Sequence, residues 1–268
     1  MLNVAKKLAR NTIETGPVLI IRKKAYEEKF RNNKELNLFK GVYANFAGAK
    51  AAIDTRASAS YDNIDSAKLY KSFCEKLFPG DYPNLFWLSK IIPQAKSLFD
   101  LGGHIGVKYY SYQRYLDLPA DFSWGVHDLP AVMKEGEVFA KENDPRSRLK
   151  FEKNLKNAAG YDILCAFGSL QYIDIDLAAE ISQFPTRPRY VLATIPASDR
   201  KTYYTLNSIG TAQCPYIIRN QAEFIDSFKK AGYKLAQSWI IPDKKCEIPF
   251  HEGYSLQHYS GHLFELED

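Results

Sequence analysis

The sequence predicts an α/β fold built on a doubly wound, mostly parallel sheet with a reversed carboxyl-terminal strand. Three observations lead to this prediction. After Pro93, five short apolar segments alternate with segments of helical periodicity. Two further strand-like segments then follow each other without a crossover helix, which favours antiparallel pairing. The chain of 268 residues is 46% hydrophobic, which is enough apolar material for one large domain with an appendage.

Residues 1–95 are predicted to be mostly helical and to form an amino-terminal extension that caps the sheet domain. Apolar residues recur at helical spacing over 2–14 and again over 22–36. A third helix is predicted over 65–78, where Asp65 is a suitable N-cap and apolar residues recur at every fourth position.

Residues 96–268 are predicted to form the second domain, which contains a seven-stranded sheet. The predicted strands cover 97–101, 122–129, 149–152, 161–170, 189–196, 234–241 and 259–266. The predicted helices cover 106–116, 131–143, 175–184 and 220–233. The strand at 161–170 is a continuous apolar run, which is typical of a strand buried on both faces of a parallel sheet.

The positive charge of the chain is concentrated at its amino-terminal end. Nine Lys and Arg residues and three Glu residues within residues 1–34 sum to +6, whereas the whole chain carries +5, so the remainder sums to −1. This basic arm is either a solvated helix face or a surface for an anionic membrane or a phosphate-bearing substrate. Aromatic residues are not interleaved with these charges, so no nucleic-acid partner is expected.

Cysteine spacing and hydropathy predict a cytoplasmic protein without a transmembrane segment. The four cysteines are widely spaced and form no C-x-x-C pair, which argues against a zinc ribbon or a disulfide framework. No apolar run approaches the ~20 residues that cross a bilayer. Peripheral contact with the inner membrane through the basic arm is the alternative to a purely cytoplasmic location.

The stretch FDLGGHIG, residues 99–106, places a glycine turn after the first predicted strand of the sheet. Ligands of open parallel sheets lie at the carboxyl ends of the strands, near the point where the strand order reverses. Against the dinucleotide-binding pattern G-x-G-x-x-G, Gly103 and Gly106 match, but Leu101 stands at the first position. Two of three glycines make only a weak indication of a nicotinamide cofactor.

A second pattern, acidic-x-G-x-G-x-G, belongs to S-adenosylmethionine sites and fits the turn better. Asp100, Gly102 and Gly106 match it, and His104 stands at the middle glycine. S-adenosylmethionine carries an ammonium and a sulfonium but no phosphate, so a carboxylate at the strand end attracts it and would repel a pyrophosphate. His104 needs an ordinary or a left-handed backbone, the latter being enriched for His, and its side chain either faces the ligand or points away.

Asp128 ends the second predicted strand and supports the same ligand, because a carboxylate there can accept both ribose hydroxyls of an adenosyl group. Both acidic residues have structural alternatives, an N-cap or Asx turn for Asp100 and an N-cap near Pro130 for Asp128. Loops after the third and fourth strands complete the predicted site. The predicted cofactor-binding residues are Asp100, Gly102, Gly103, His104, Gly106, Asp128, Leu129, Asn154, Phe167, Gly168 and Ser169.

Several segments together resemble a family of uncharacterised S-adenosylmethionine-dependent methyltransferases associated with bacterial surface polysaccharide (O-antigen and capsule) gene clusters. They are FKGVYANFAGAKAA (39–52), LFDLGGHIGVKYY (98–110), VHDLPAV (126–132), YDILCAFGSLQYI (161–173), YYTLNSIGTAQCPY (203–216), AEFIDSFKKAGYKLAQSW (222–239) and IPFHEGYSLQHYSGHLFE (248–265). The resemblance implies a Rossmann-like class I methyltransferase fold and transfer of a methyl group to an oxygen or nitrogen of a sugar-like acceptor. The family has a third glycine where this chain has His104, and the basic arm lies outside the resemblance.

Methylation of a sugar hydroxyl requires donor and acceptor to be held in line and a group that accepts the proton. The loops that follow the strands, above all the long polar and aromatic segment after the fifth strand, are expected to supply these groups. The predicted catalytic residues are His251, Tyr204 and His258. The predicted acceptor-binding residues are Tyr61, Gln171, Tyr203, Thr211, Gln213 and Tyr259. For each of them, ordinary structural packing is the alternative.

The leading hypothesis from the sequence is a methyltransferase that uses S-adenosylmethionine for O-methylation of a sugar, sugar nucleotide or glycan in surface polysaccharide biosynthesis. His, Asp and Glu do not cluster at metal-ligand spacing, so a metal-independent enzyme is expected. An NAD-dependent oxidoreductase is a second hypothesis, which rests on the generic glycine turn alone. A catalytically inactive binding module with the methyltransferase fold is a third, motivated by His104.

Overall fold

The computed structural model of the protein describes residues 16–34, 36–55, 57, 70–210 and 212–267. Four sequence predictions lie outside the described residues: the helix over 2–14, the N-cap Asp65, and the acceptor contacts Tyr61 and Thr211.

Eleven strands and seven α-helices of the described chain are numbered here in chain order. The strands are β1 (Leu38–Tyr43), β2 (Ser97–Leu101), β3 (Ser123–His127), β4 (Leu149–Phe151), β5 (Ile163–Phe167), β6 (Tyr190–Ile195), β7 (Ala197–Ser198), β8 (Tyr203–Ser208), β9 (Gln213–Asn220), β10 (Tyr233–Ile241) and β11 (Tyr259–Leu266). The helices are α1 (Pro17–Arg31), α2 (Phe46–Ala51), α3 (Asp81–Ile91), α4 (Val107–Tyr112), α5 (Pro130–Asn143), α6 (Leu177–Ser182) and α7 (Gln221–Lys230). Short 3₁₀ turns occupy Ile92–Gln94 and Leu155–Ala158.

Seven strands form the main sheet in the order β10-β11-β6-β5-β2-β3-β4. The five neighbouring strands β4, β3, β2, β5 and β6 all pair in parallel. Strand β11 is antiparallel to both of its neighbours, β6 and β10. The predicted doubly wound, mostly parallel sheet with a reversed last strand is therefore confirmed.

The main sheet is covered on both faces, and the alternation of side chains along β2 shows how. Leu98 packs into a cluster with residues of α3 and α4, whereas Phe99 and Leu101 pack into a second cluster with residues of α6 and α7. Successive side chains of a strand point to opposite faces. Asp100 therefore points to the face that α3 and α4 cover.

A second sheet of four strands, in the order β1-β8-β9-β7, differs from what the sequence predicts. Residues 38–43 were expected within a helical extension, but they form β1 and pair antiparallel with β8. The segment after the fifth predicted strand was expected to be an acceptor loop, but it folds into the β8–β9 hairpin. Strand β1 buries Phe39 at 2% exposure, and most side chains of β8 and β9 are buried. The two segments complete each other's hydrogen bonds across a long sequence separation.

The second sheet is joined to the carboxyl-terminal edge of the main sheet. Strand β7 follows β6 with only Pro196 between them. The Ile217 amide of β9 donates to the Gln171 carbonyl (2.8 Å), and the Tyr172 hydroxyl donates to Asn207 of β8 (2.9 Å). The loop after β5 is thereby held against the second sheet.

Two helix predictions also need correction. Helix α1 starts earlier than the predicted 22–36, because Pro17 stands at its first turn, where a missing N–H costs nothing. In the described part of the predicted helix 65–78, residues from Tyr70 onward form successive turns closed by i→i+3 bonds, such as Phe73 N to Tyr70 O. These tighter turns place Phe73 and Leu77 against the main core.

Candidate functional site

The candidate site lies at the carboxyl ends of β2 and β5. From β2 the chain proceeds to β3 on one side, while β5 pairs on the other side, so a crevice opens between the two loops that follow these strands. The loops touch closely. A Cβ on Gly102 would lie 2.2 Å from Ser169 Cβ, and the Ser169 hydroxyl donates to the Leu101 carbonyl at 2.5 Å.

The glycine turn needs its glycines for two different reasons. Gly102 and Gly106 have φ of 76° and 91°, values that L side chains rarely adopt. Gly103 is required by space, because a Cβ there would lie 2.6 Å from the Asp100 carboxylate. The turn is fixed to the neighbouring strand by the Gly102 amide, which donates to the His127 carbonyl at 2.7 Å.

Asp100 is a buried carboxylate under the turn. Its side chain lies in a residue only 1% exposed, and its Oδ2 has no hydrogen-bond partner among the described residues. Burial raises the pKa of Asp100 to about 7, although Trp124 and Lys108 act in the opposite direction. Helix α4 has Gly106 as its N-cap and no side-chain cap, so Asp100 is not the cap of this helix. The Asp100 Oδ2 can therefore accept a hydrogen bond from a cationic ligand.

Asp128 connects the end of β3 to the glycine turn. Its Oδ2 accepts from the His104 amide at 2.8 Å, and its Oδ1 accepts from the Leu129 amide at 2.7 Å. Helix α5 has Leu129 as its N-cap without a side-chain bond, so Asp128 does not cap the helix.

His104 adopts the left-handed backbone conformation that the turn requires, with φ of 59°. Its ring lies 4.3 Å from the ring of Tyr70, and both ring nitrogens are buried without a partner among the described residues. Burial lowers the pKa of His104 to about 4, so the imidazole is neutral at pH 7. The departure from the glycine pattern therefore leaves the backbone of the turn intact.

The remaining predicted cofactor residues flank this turn on two sides. Leu129 and Asn154 are exposed beyond the ends of β3 and β4. Phe167 closes β5 and lies 6.2 Å from the ring of Tyr112. Gly168 has φ of 87°. Its carbonyl accepts a hydrogen bond from the side-chain Nε2 of Gln171 at 2.6 Å. The Gln171 Oε1 is buried without a partner in the described chain.

A polar cluster beside Asp100 has no counterpart among the residues predicted from the sequence. The carboxylate of Asp81, at the start of α3, accepts from Lys108 Nζ at 2.5 Å and from the Tyr112 hydroxyl at 2.7 Å. Asn84 lies next to Tyr112, and its Oδ1 is buried without a partner among the described residues. The bond between Asp81 and Lys108 spans 27 positions, so only the position of Lys108, two residues after Gly106, could have indicated it.

This fold and site can be compared with known structures. A protein from Galdieria sulphuraria, assigned as a sarcosine dimethylglycine methyltransferase, has a TM-score of 0.50 and 12% identity over 76% of this chain and 99% of its own. The chain has the class I methyltransferase fold. At this identity the likeness concerns the fold alone.

Two other structures with the methyltransferase fold are also similar. The 1,6-didemethyltoxoflavin-N1-methyltransferase of Burkholderia thailandensis, bound to 1,6-didemethyltoxoflavin and S-adenosylhomocysteine, has a TM-score of 0.48 and 14% identity over 81% of this chain and 94% of its own. The glycopeptide N-methyltransferase MtfA, in complex with S-adenosylmethionine, has a TM-score of 0.48 and 9% identity over 70% of this chain and 94% of its own. No family model and no curated protein matches the chain.

Two predicted catalytic residues lie in the connection between β10 and β11 of this methyltransferase fold. His251 is partly buried, and burial together with Lys23 of α1 lowers its pKa. His258 is exposed, with a long 3.4 Å contact to the Tyr259 carbonyl. The hydrogen bonds and ring contacts of the described residues join neither histidine to the glycine turn, so their roles stay predictions.

Tyr203 and Gln213 are the predicted acceptor residues of the second sheet, whereas Tyr259 begins β11 of the main sheet. All three are held by bonds inside the protein. Tyr203 donates to the Tyr254 carbonyl (2.6 Å), Tyr259 shares a 2.5 Å bond with the Tyr216 hydroxyl, and Gln213 accepts from the Asp54 amide (3.2 Å). The predicted catalytic residue Tyr204 lies on the face of the second sheet opposite to Tyr203, and burial raises its pKa, as does Asp174.

The described residues form neither a metal site nor a membrane-spanning helix. Over the described ranges, no three His, Cys, Asp or Glu side chains are arranged to hold a metal ion. No helix in the same part of the chain is long and apolar enough to cross a membrane. All four cysteines are buried free thiols.

Proposed function

We propose that the protein is an S-adenosylmethionine-dependent methyltransferase. The observation that carries the proposal is the buried Asp100 carboxylate, whose free Oδ2 lies at the carboxyl end of β2 beneath the glycine turn. The ammonium and sulfonium of S-adenosylmethionine suit this carboxylate, whereas a pyrophosphate would be repelled. A nicotinamide dinucleotide is therefore a poor fit for the same turn.

The residues around the crevice suit the parts of this donor. In the proposal, Asp100 accepts from the donor ammonium, and Asp128 accepts from the ribose hydroxyls. Leu129, Asn154 and Phe167 flank the adenine, and Gly168 and Ser169 lie beside the methionine part. When bound, the donor supplies a methyl group on a positively charged sulfur. The protein's task is to hold an acceptor atom in line with it.

We propose a sugar, sugar nucleotide or glycan hydroxyl as the acceptor, with surface polysaccharide biosynthesis as the process. The resemblance of the chain to methyltransferases of such gene clusters supports this, as do the aromatic and amide side chains of the second sheet. His251 is the preferred base, because its lowered pKa leaves it neutral and able to accept a proton at pH 7. Tyr204 has a raised pKa and remains protonated, so it suits a hydrogen-bond donor better.

Calorimetric titration with S-adenosylhomocysteine tests the donor. The wild type should bind it, and Asp128→Asn should weaken binding on the order of 10- to 100-fold, because a charged acceptor for two hydroxyls is lost. Asp121→Asn, an exposed residue with the same change, is the matched control and should bind like the wild type. Absence of binding to the wild type, or a fluorescence response to NADH instead, would contradict the proposal.

We also propose that the protein works in the cytoplasm and contacts an anionic membrane surface through α1. Val18, Ile20 and Ile21 of this helix are 47%, 57% and 66% exposed, which is unusual for aliphatic side chains next to one another. Arg22, Lys23 and Lys24 follow directly. Exposed aliphatic side chains next to three basic residues suit the interface of an anionic bilayer, because the aliphatic groups can enter the acyl region while the cations contact the headgroups.

A further inference from the structure

Lys108 stands out as a charged side chain at the edge of the candidate donor site. It is the second residue of α4, directly after the glycine turn, and its side chain is 20% exposed. Its Nζ contacts Asp81 Oδ1 at 2.5 Å, and Asp81 is the acceptor that the described residues provide for it. An ammonium group has three N–H donors, so two remain for other acceptors.

The surroundings of Lys108 connect it through Tyr112 to the end of β5. Its Nζ lies 5.4 Å from the centre of the Tyr112 ring, and that ring lies 6.2 Å from Phe167 at the end of β5. On the other side, Lys108 is close enough to Asp100 to favour the charged form of that carboxylate. A cation and a buried carboxylate whose Oδ2 has no partner among the described residues therefore lie near each other beside α4.

This pair has the charge pattern of a receptor for a zwitterionic amino acid. A lone carboxylate would serve an amine, and a lone lysine would serve an acid, but both together serve a group that carries an ammonium and a carboxylate on one carbon. The methionine part of the proposed donor is such a group. Asp81 holds Lys108 in place and, because Tyr112 and the Phe78 amide also donate to it, does not depend on Lys108 alone.

We infer that Lys108 binds the α-carboxylate of the donor's methionine moiety, with Asp81 as its positioning residue. This inference rests on the proposed function, because it assigns a contact within the same donor site. It separates the two acidic residues of the region by role, since Asp100 faces the donor ammonium and Asp81 faces the lysine.

The test compares two ligands and uses calorimetry, so it needs no acceptor. S-adenosylhomocysteine carries the carboxylate, and its decarboxylated analogue, S-adenosyl-3-thiopropylamine, retains only the amine. The wild type should bind the analogue on the order of 10- to 100-fold more weakly. Lys108→Met should lose the same factor for S-adenosylhomocysteine and nothing further for the analogue. The two losses should not add, because they delete the same contact.

Three further variants separate contact from structure. Lys108→Arg keeps the charge and should retain most of the preference for S-adenosylhomocysteine over the analogue. Asp81→Asn weakens the hold on Lys108 and should reduce that preference, although less than Lys108→Met does. Lys90→Met, an exposed lysine on α3, is the matched control and should leave both affinities unchanged. Thermal unfolding of each variant identifies any that fail to fold. If Lys108→Met does not fold, Lys108→Arg and Asp81→Asn test the inference in its place.

The outcomes distinguish this inference from the proposed function. Additive losses in Lys108→Met, or equal weakening of both ligands, would show that Lys108 acts only in the structure and overturn the inference. Equal affinity of the wild type for both ligands would overturn it as well. Binding of neither ligand by the wild type would instead overturn the proposed function.

Discussion

At the scale of single residues, the candidate site combines groups that the sequence reveals with groups that it does not reveal. Asp100 and Asp128 are recognisable because each ends an apolar strand and because local spacing relates them to the glycine turn. Asp81 and Lys108 are not, because their ion pair joins distant segments that meet only after folding. Sequence patterns therefore predict the part of the site formed at the ends of successive strands, and do not predict the part formed by packing of α3 against α4.

Asp100 gives a prediction about pH and stability. Its pKa is about 7 in the folded protein, well above the value of about 4 for an exposed Asp. Between these values the folded state binds more protons than the unfolded state, so the stabilising effect of the protonated carboxyl is lost as the pH rises from 4 to 7. Asp100→Asn should therefore raise the free energy of unfolding by roughly 2–4 kcal/mol at pH 8, with little change at pH 4.

Denaturant titrations at the two pH values measure this effect. Asp121→Asn, at an exposed position, should leave the pH dependence of stability unchanged. The more stable Asp100→Asn protein should also bind S-adenosylhomocysteine more weakly, since the amide cannot carry the charge that attracts the ammonium. If the difference in free energy of unfolding between Asp100→Asn and the wild type is the same at pH 4 and pH 8, burial does not destabilise the charged form of Asp100.

At the scale of elements, the main sheet could be predicted and the second sheet could not. The strands of the main sheet are continuous apolar runs flanked by helices, and this pattern is local. Strand β1 pairs with β8, and its register joins Leu38 to Ser208. A six-residue strand whose partner lies so far along the chain leaves no pattern that distinguishes it from part of a helical extension.

Phe39 tests the contribution of β1. It is 2% exposed and packs edge-on against Tyr216 of β9. Phe39→Ala should lower the free energy of unfolding by about 3–5 kcal/mol, because a large cavity forms in the second sheet. Leu36→Ala, half exposed just before β1, is the matched control and should change stability by less than about 0.5 kcal/mol.

The same variant also tests whether the second sheet serves the acceptor and not the donor. Under native conditions, Phe39→Ala should bind S-adenosylhomocysteine within about twofold of the wild type, because the donor residues lie on the main sheet. A loss of donor affinity as large as the loss of stability would mean that the second sheet shapes the donor site.

At the scale of the whole molecule, charge and apolar exposure are both concentrated at the amino-terminal end. The first 34 residues carry +6, and the remainder of the chain carries −1. Three of the exposed aliphatic side chains lie together on α1. The fold itself does not require this concentration, since α1 packs on the protein through only a narrow stripe that includes Tyr26 and Phe30.

Vesicle co-sedimentation tests the proposed membrane contact. The wild type should bind vesicles that contain phosphatidylglycerol. Binding should weaken at 0.5 M salt, because screening removes the attraction between the anionic lipids and the basic residues Arg22, Lys23 and Lys24. The double variant Ile20→Ser, Ile21→Ser should bind these vesicles at least about tenfold more weakly than the wild type. Val138→Ser, 52% exposed on α5, controls for the loss of one exposed aliphatic side chain. Binding that is equal for neutral and anionic vesicles would contradict the proposal.

The pairing of β1 with β8 also dictates an order of events on the ribosome. Translation produces Tyr43 160 residues before Tyr203, which at 5–20 residues per second is a delay of roughly 10–30 s. Throughout this interval β1 waits as a nascent strand without its partner, while β2 to β6 emerge and can begin to pair. The second sheet is therefore assembled late in synthesis, and the backbone of β1 lacks its pairing strand until then.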